Sequence, residues 1–258
     1  MKILLFFSLL LQNQILCAQT AARPHNTYVW ARSGLNLRKT PDFKGEKIMT
    51  LPYGTTVAVI DYAKIIKGSN DFGDYEMPEE IHLEALKSPS QNDKDAGYKV
   101  YGAWVKVQAA GKEGYLFNAY LSQMEPCRAL TAAELAQTPT VEQSLGDLKA
   151  YATAQWGLLK NSDTHFIFGN GAFLREDKQH KAFARWVFPE MDDHNGYLLA
   201  NFFFALEKKS AVANPERFEF GGASRDALDF FFDAGTNCEL NIRFVQGAML
   251  LESVWGGD

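Results

Sequence analysis

Few side chains in this sequence have a type and spacing that could make or break bonds. The cysteines are Cys17, Cys127 and Cys238, and no Cys-x-x-Cys pair exists to carry thioredoxin-type exchange. His165 and His180 have no partner at zinc-ligand spacing. Met191 to Gly196, "MDDHNG", groups Asp192, Asp193 and His194, but side chains adjacent in sequence rarely converge on one ion, and the stretch reads as a turn. "FGNGAF" has one Gly-x-Gly without a phosphate-loop context, and there is no Gly-x-Ser-x-Gly. Acidic residues are plentiful, but a glycosidase needs a set separation between two carboxyls, which sequence does not fix. No catalytic constellation, metal site or cofactor motif emerges, and the expectation is a chain that is not an enzyme.

Residues suited to binding are easier to find. In Ser33–Ile60, "SGLNLRKTPDFKGEKIMTLPYGTTVAVI", alternation sends Leu35 and Leu37 inward and Asn36 and Arg38 outward. Val57 and Val59 alternate likewise, and turn residues separate the runs. In Tyr101–Ser122, "YGAWVKVQAAGKEGYLFNAYLS", Trp104–Val107 is a strand, Ala109–Glu113 a hairpin turn and Gly114–Phe117 the returning strand. Ala119 to Leu121 closes the unit as one helical turn. Five short strands spaced by turns predict a small β-barrel.

These residues resemble the bacterial SH3-type (SH3b) domain, whose pattern is Gly-Leu-Asn-Val-Arg, then Trp-x-Lys-Val, Gly-Lys-x-Gly-Trp/Tyr-Val and a closing Tyr-Leu. The resemblance covers residues 27–124, and Tyr115 stands where the family often has Trp. It implies an SH3-like β-barrel that binds cell-wall peptides, peptidoglycan or protein partners. Carried over by position, Asn36, Arg38, Trp104 and Tyr115 are the candidate groove: an aromatic offers apolar area with a polar tip, and Arg offers a donor fork for a carboxylate. The alternatives are that Trp104 belongs to the core and that Arg38 pairs with a neighbouring acid. Exported proteins of this type often carry a cysteine peptidase domain with a His after the nucleophile; here the last histidine, His194, precedes Cys238.

The resemblance is interrupted by a long insertion, residues 62–97, with eight acids and four lysines between Ala63 and Gly97. Ala63–Ile66 could pair with Lys99–Gly102 as a hairpin arm, and Glu79–Leu86 could form one or two helical turns. The arm either reshapes the groove or is a solvated acidic loop. Residues 127–258 read as an α+β domain with a largely antiparallel sheet, of no recognised family. Thr131 and Glu134 have capping-box spacing. Helical spacing runs from Val141 to about Leu159, and Gly196–Lys208 is ambiguous between strand and helix. Strands are expected at His165–Phe168, Ala184–Phe188 and Arg217–Phe220, and a meander over Ala227–Phe232, Cys238–Val245 and Ala248–Trp255. The runs Phe202–Phe204 and Phe230–Phe232 read as core.

The chain has 258 residues, 47% hydrophobic and 22% charged, with a net charge of −5, which argues against nucleic acid as a partner. Residues 1–18 resemble a signal peptide: Lys2, an apolar Ile3–Leu11 too short to span a bilayer, and Ala18 before the cut. Leu16 before Cys17 reads against a lipoprotein, and no later segment reads as a transmembrane span. The expected place is the periplasm or outside, where Cys127 and Cys238 permit one disulfide worth about 3–5 kcal/mol; the alternative is two buried thiols. The sequence thus points to an exported, non-catalytic binding protein of a bacterial envelope. An envelope hydrolase and a periplasmic inhibitor or immunity-type protein acting through its acidic arm are the other readings.

Overall fold

The computed structural model describes residues 27–86, 98–128, 130–177, 182–208, 218–224, 227–233, 237–245 and 247–255, with the backbone alone for residues 182, 218–239 and 255. The expected signal peptide lies outside the described residues.

The first half is built from short antiparallel strands: β1 (Thr27–Val29), β2 (Leu35–Arg38), β3 (Lys47–Leu51) and β4 (Thr56–Tyr62). After them come β5 (Ile65–Asn70), β6 (Gly73–Pro78), β7 (Ile81–Leu86) and β8 (Tyr98–Gly102), then β9 (Trp104–Ala109), β10 (Lys112–Phe117) and β11 (Leu121–Ser122). Seven of them form one sheet in the order β11-β1-β4-β9-β10-β2-β3. Its end strands, β3 and β11, do not pair with each other among the described residues, so the hydrogen-bonded ladder is not closed into a barrel. Each of the seven strands gives a side chain to one core: Val29, Leu37, Leu51, Val57, Val107, Leu116 and Leu121 all belong to it. The alternation read from Leu35–Arg38 produces this: Leu37 is buried, and Asn36 and Arg38 face away.

The insertion departs from the expectation. β5 pairs with β6 and β7 with β8, giving two hairpins in place of one arm joining Ala63–Ile66 to Lys99–Gly102. Residues 81–86 form a strand and not helical turns. The physical reason is a period of two: Ile81, Leu83 and Ala85 pack on the core while His82 and Glu84 face solvent.

The second half opens with α1 (Ala132–Ala136), whose Thr131–Glu134 capping box is formed. A second capping box, Thr140 with Gln143, starts α2 (Val141–Trp156). The helix stops about three residues earlier than its apolar spacing suggests, because Gly157 turns the backbone to φ 67° and the chain leaves as β12 (Leu158–Asn161). β13 (His165–Phe168), β14 (Phe173–Asp177) and β15 (Ala182–Phe188) follow. Residues 193–204 resolve the ambiguity as α3 (Asp193–Phe204), with Asp192 as its N-cap accepting from the Asn195 N–H at 2.7 Å, so "MDDHNG" is a helix start and not a turn. β16 (Phe218–Ser224), β17 (Ala227–Asp233), β18 (Asn237–Val245) and β19 (Ala248–Trp255) complete an eight-stranded antiparallel sheet, β12-β13-β14-β15-β19-β18-β17-β16. Leu174, Trp186, Leu251 and Ile242 stand opposite one another on four adjacent strands and are all buried; the next row, Arg175, Arg185, Glu252 and Asn241, faces the other way. One face therefore packs on the helices and the other meets solvent. Gly196 allows the close approach of α3: a Cβ there would lie 2.5 Å from the Phe244 ring.

The two halves share a core. Trp30 is 1% exposed and sits edge-on to Tyr53, Tyr151 and Phe202, with centroids 5.5, 6.3 and 5.7 Å away. Its indole N–H donates to the Met124 carbonyl at 2.9 Å. Tyr53 stacks on Phe202 at 4.3 Å, and Tyr98 meets Tyr197 at 4.7 Å. Below them Glu207 accepts from the Tyr197 hydroxyl at 2.8 Å, and burial pushes its carboxyl up from the ordinary range. Among the described residues, no helix is long and apolar enough to cross a membrane.

Candidate binding surfaces

Of the four groove candidates, three share a face. Arg38 on β2 is the register partner of Tyr115 on β10, which in turn faces Lys106 on β9. Asn36, two residues before Arg38, points the same way. The polar tips are partly engaged: Asn36 Oδ1 accepts from Thr50 Oγ1 at 2.8 Å, and an Arg38 guanidinium N–H donates to the Gly45 carbonyl at 2.6 Å. Lys106 pairs with Glu113 at 3.1 Å. Trp104 is 7% exposed, within the larger core. Phe43 covers it, 5.0 Å from its ring and 5.2 Å from that of Phe117. The structure thus brings Asn36, Arg38 and Tyr115 together and hides the indole expected beside them. Phe43 is the residue that sequence reasoning missed; its signal was one large apolar side chain in the otherwise polar turn "KTPDFKGE".

The second surface is the insertion. Among the described residues, nine of the fourteen large apolar side chains that are exposed lie between Val59 and Tyr101, and five of these, Ile65, Ile66, Phe72, Tyr75 and Met77, are on the β5–β6 hairpin. Phe72, at the tip of the β5–β6 hairpin, is 100% exposed. Register divides this arm into two faces. Ile66 opposes Met77 and Gly68 opposes Tyr75 on one side, while Lys67 opposes Glu76, as an ion pair, on the other. Gly68 lets the Tyr75 ring lie across the strand: a Cβ there would come within 2.5 Å of the ring and push it aside. A cleft of about 670 Å³ at the base of the arm is lined by Tyr62, Met77, Tyr101 and the start of α3. His194 is committed in that wall, its Nε2 lying 2.9 Å from the Leu121 carbonyl oxygen. Among the described residues, no three His, Cys, Asp or Glu side chains converge to hold a metal ion.

The third is a cavity of about 760 Å³ between the β1–β2 turn, α1, α2 and the end of α3. Arg32 reaches into it from the first half and donates to the carbonyls of Phe202 (2.5 Å) and Glu134 (3.1 Å). Partial burial lowers the affinity of its guanidinium for a proton, and its Nε is buried without an acceptor. Cys127 lines the same cavity as a free thiol. Its sulfur lies 3.4 Å from the Tyr53 hydroxyl, which also accepts from the Cys127 N–H at 3.0 Å. Burial pushes both groups up from their ordinary values, so a neutral thiol faces a neutral phenol, an arrangement poor in nucleophilicity. Of the two cysteines expected to pair, Cys127 is a free thiol here, and the side chain of Cys238, on β18, lies outside the described residues. No family model, curated protein or solved structure matches this chain.

Proposed function

We propose that this chain is an exported, non-catalytic binding protein of a bacterial envelope that holds a protein partner through the arm formed by its insertion. The exposed apolar side chains of that arm carry the reading, with Ile66, Tyr75 and Met77 on one face and Phe72 at the tip, since exposed apolar surface grouped in this way marks an interaction site. The SH3b resemblance of residues 27–124 supports a binding role, and the leader-like residues 1–18 support export. Asn36, Arg38 and Tyr115 offer a second, more polar face on which a wall peptide would be held. An inhibitor is the other reading favoured by an observation: a hairpin with a fully exposed Phe72 at its tip has the form of a plug for a partner's cleft.

The test is photo-crosslinking of the full chain in the envelope of its host, with benzoylphenylalanine at position 72, 75 or 77. Position 112, the first residue of β10 after the β9–β10 turn, serves as the control. A discrete adduct from the arm positions and none from position 112 is the expected result. No adduct from the arm, with retention on peptidoglycan sacculi that is lost in Arg38→Ala, would move the function to the β2–β10 face.

A further inference from the structure

We infer that the cavity beside Arg32 is a second binding site, for a zwitterionic amino acid or short peptide with an apolar side chain. It lies apart from the arm and does not depend on it. Four charged side chains line the cavity: Arg32, Arg128, Glu134 and Asp147. Two of them cancel, because Arg128 grips Glu134 through both guanidinium nitrogens. The other two, Arg32 and Asp147, make no ion pair among the described residues. Arg32 hydrogen-bonds only to carbonyls, while the Glu134 and Asp147 carboxylates act on it through space without an ion-pair contact. A half-buried guanidinium in that state favours an anion.

Asp147 is exposed on α2 and offers its carboxylate to a cation. Arg32 and Asp147 thus sit across one cavity, near enough to feel each other but without a contact, the arrangement into which a free α-carboxylate and a free α-ammonium would insert. The rest of the lining suits the remainder of such a ligand. Tyr151, Phe202 and Phe203 give an apolar wall, and the amides of Gln143 and Gln155 can donate to or accept from a peptide group. A volume of about 760 Å³ is within the usual range for small-ligand pockets.

The experiment is calorimetric titration of the full chain with the dipeptide Ala-Phe, its N-acetyl form and its C-terminal amide. Arg32 also ties α1 to α3, so a loss in an Arg32 variant would be ambiguous. The variants are therefore Asp147→Asn and Ala154→Trp, both at exposed positions of α2 that line the cavity. Saturable one-to-one binding of Ala-Phe is expected, about ten-fold weaker for either blocked peptide, as loss of a charged hydrogen bond predicts. Ala154→Trp should abolish it by filling the space. Asp147→Asn should weaken the free dipeptide to the level of its N-acetyl form while leaving the penalty of the amide in place. Absence of saturable binding, binding indifferent to Ala154→Trp, or equal affinity for the amide would each overturn the assignment. Loss of crosslinking from the arm would leave it untouched.

Discussion

At the scale of single residues, burial decides what each polar group can do. Glu207 shows it most clearly. Its carboxyl accepts from the Tyr197 hydroxyl at 2.8 Å, and its backbone N–H is held by Asn201 Oδ1 at 3.0 Å. Desolvation outweighs these bonds and raises its affinity for a proton in the folded state. The folded protein therefore binds that proton more readily than the unfolded chain does. Its contribution to stability is complete below the ordinary Glu range, near pH 4.3, and is lost as pH rises through the elevated folded value. Glu207→Gln should raise the urea midpoint at pH 8 relative to the parent, and the difference should shrink toward pH 4. A variant less stable than the parent at pH 8 would mean that the hydrogen bonds dominate. Trp104 teaches the same lesson from the other side. Its type and position suit a groove, but its exposure was decided by Phe43, 61 positions earlier in the chain, and no local pattern announces that contact.

At the scale of elements, the legible features were the local ones. The capping box at Thr131 and Glu134, the alternation of Leu35–Arg38 and the closing meander were all readable, because each depends on spacing within one segment. Residues 81–86 were equally readable in principle. Their alternation over Ile81–Ala85 was masked by a surrounding excess of charge, which suggested a solvated helix or loop. Asp192 and Asn195 likewise have N-cap spacing that marked the start of α3. The arm is the element whose consequence is easiest to measure. A two-stranded hairpin with one apolar face exposed adds little to stability by itself. Phe72→Ser should change the unfolding free energy by no more than about 0.5 kcal/mol, the ordinary range for a surface substitution. The same change should remove the partner adduct from positions 75 and 77. A large loss of stability would show that Phe72 is packed and not presented.

At the scale of the whole molecule, the seam between the halves was invisible in the sequence. Trp30 and Phe202 are far apart in the chain yet 5.7 Å apart in space. Read alone, the N-terminal motifs describe a self-sufficient barrel and the remainder a separate α+β unit. The packed structure has an open antiparallel sheet whose outer aromatic residues are covered by α2 and α3. Trp30→Ala should cost about 3–5 kcal/mol, the usual penalty for removing a large buried ring. Both halves should lose that stability together. Near-ultraviolet and far-ultraviolet circular dichroism should then report coincident urea transitions in parent and variant. Two separated transitions would mean that the seam is a docking contact between independent domains.

The seam also sets an order of events during synthesis. Trp30, Tyr53 and Tyr98 emerge from the ribosome well before Tyr151, Tyr197 and Phe202, which cover them. Until α3 has been made, the early strands display an uncovered aromatic surface of the kind that chaperones hold and that drives aggregation. A chain that crosses a membrane unfolded avoids that interval, because both sides of the seam arrive before either has to pack. A fragment ending near residue 126 has no such escape and keeps the sticky surface permanently.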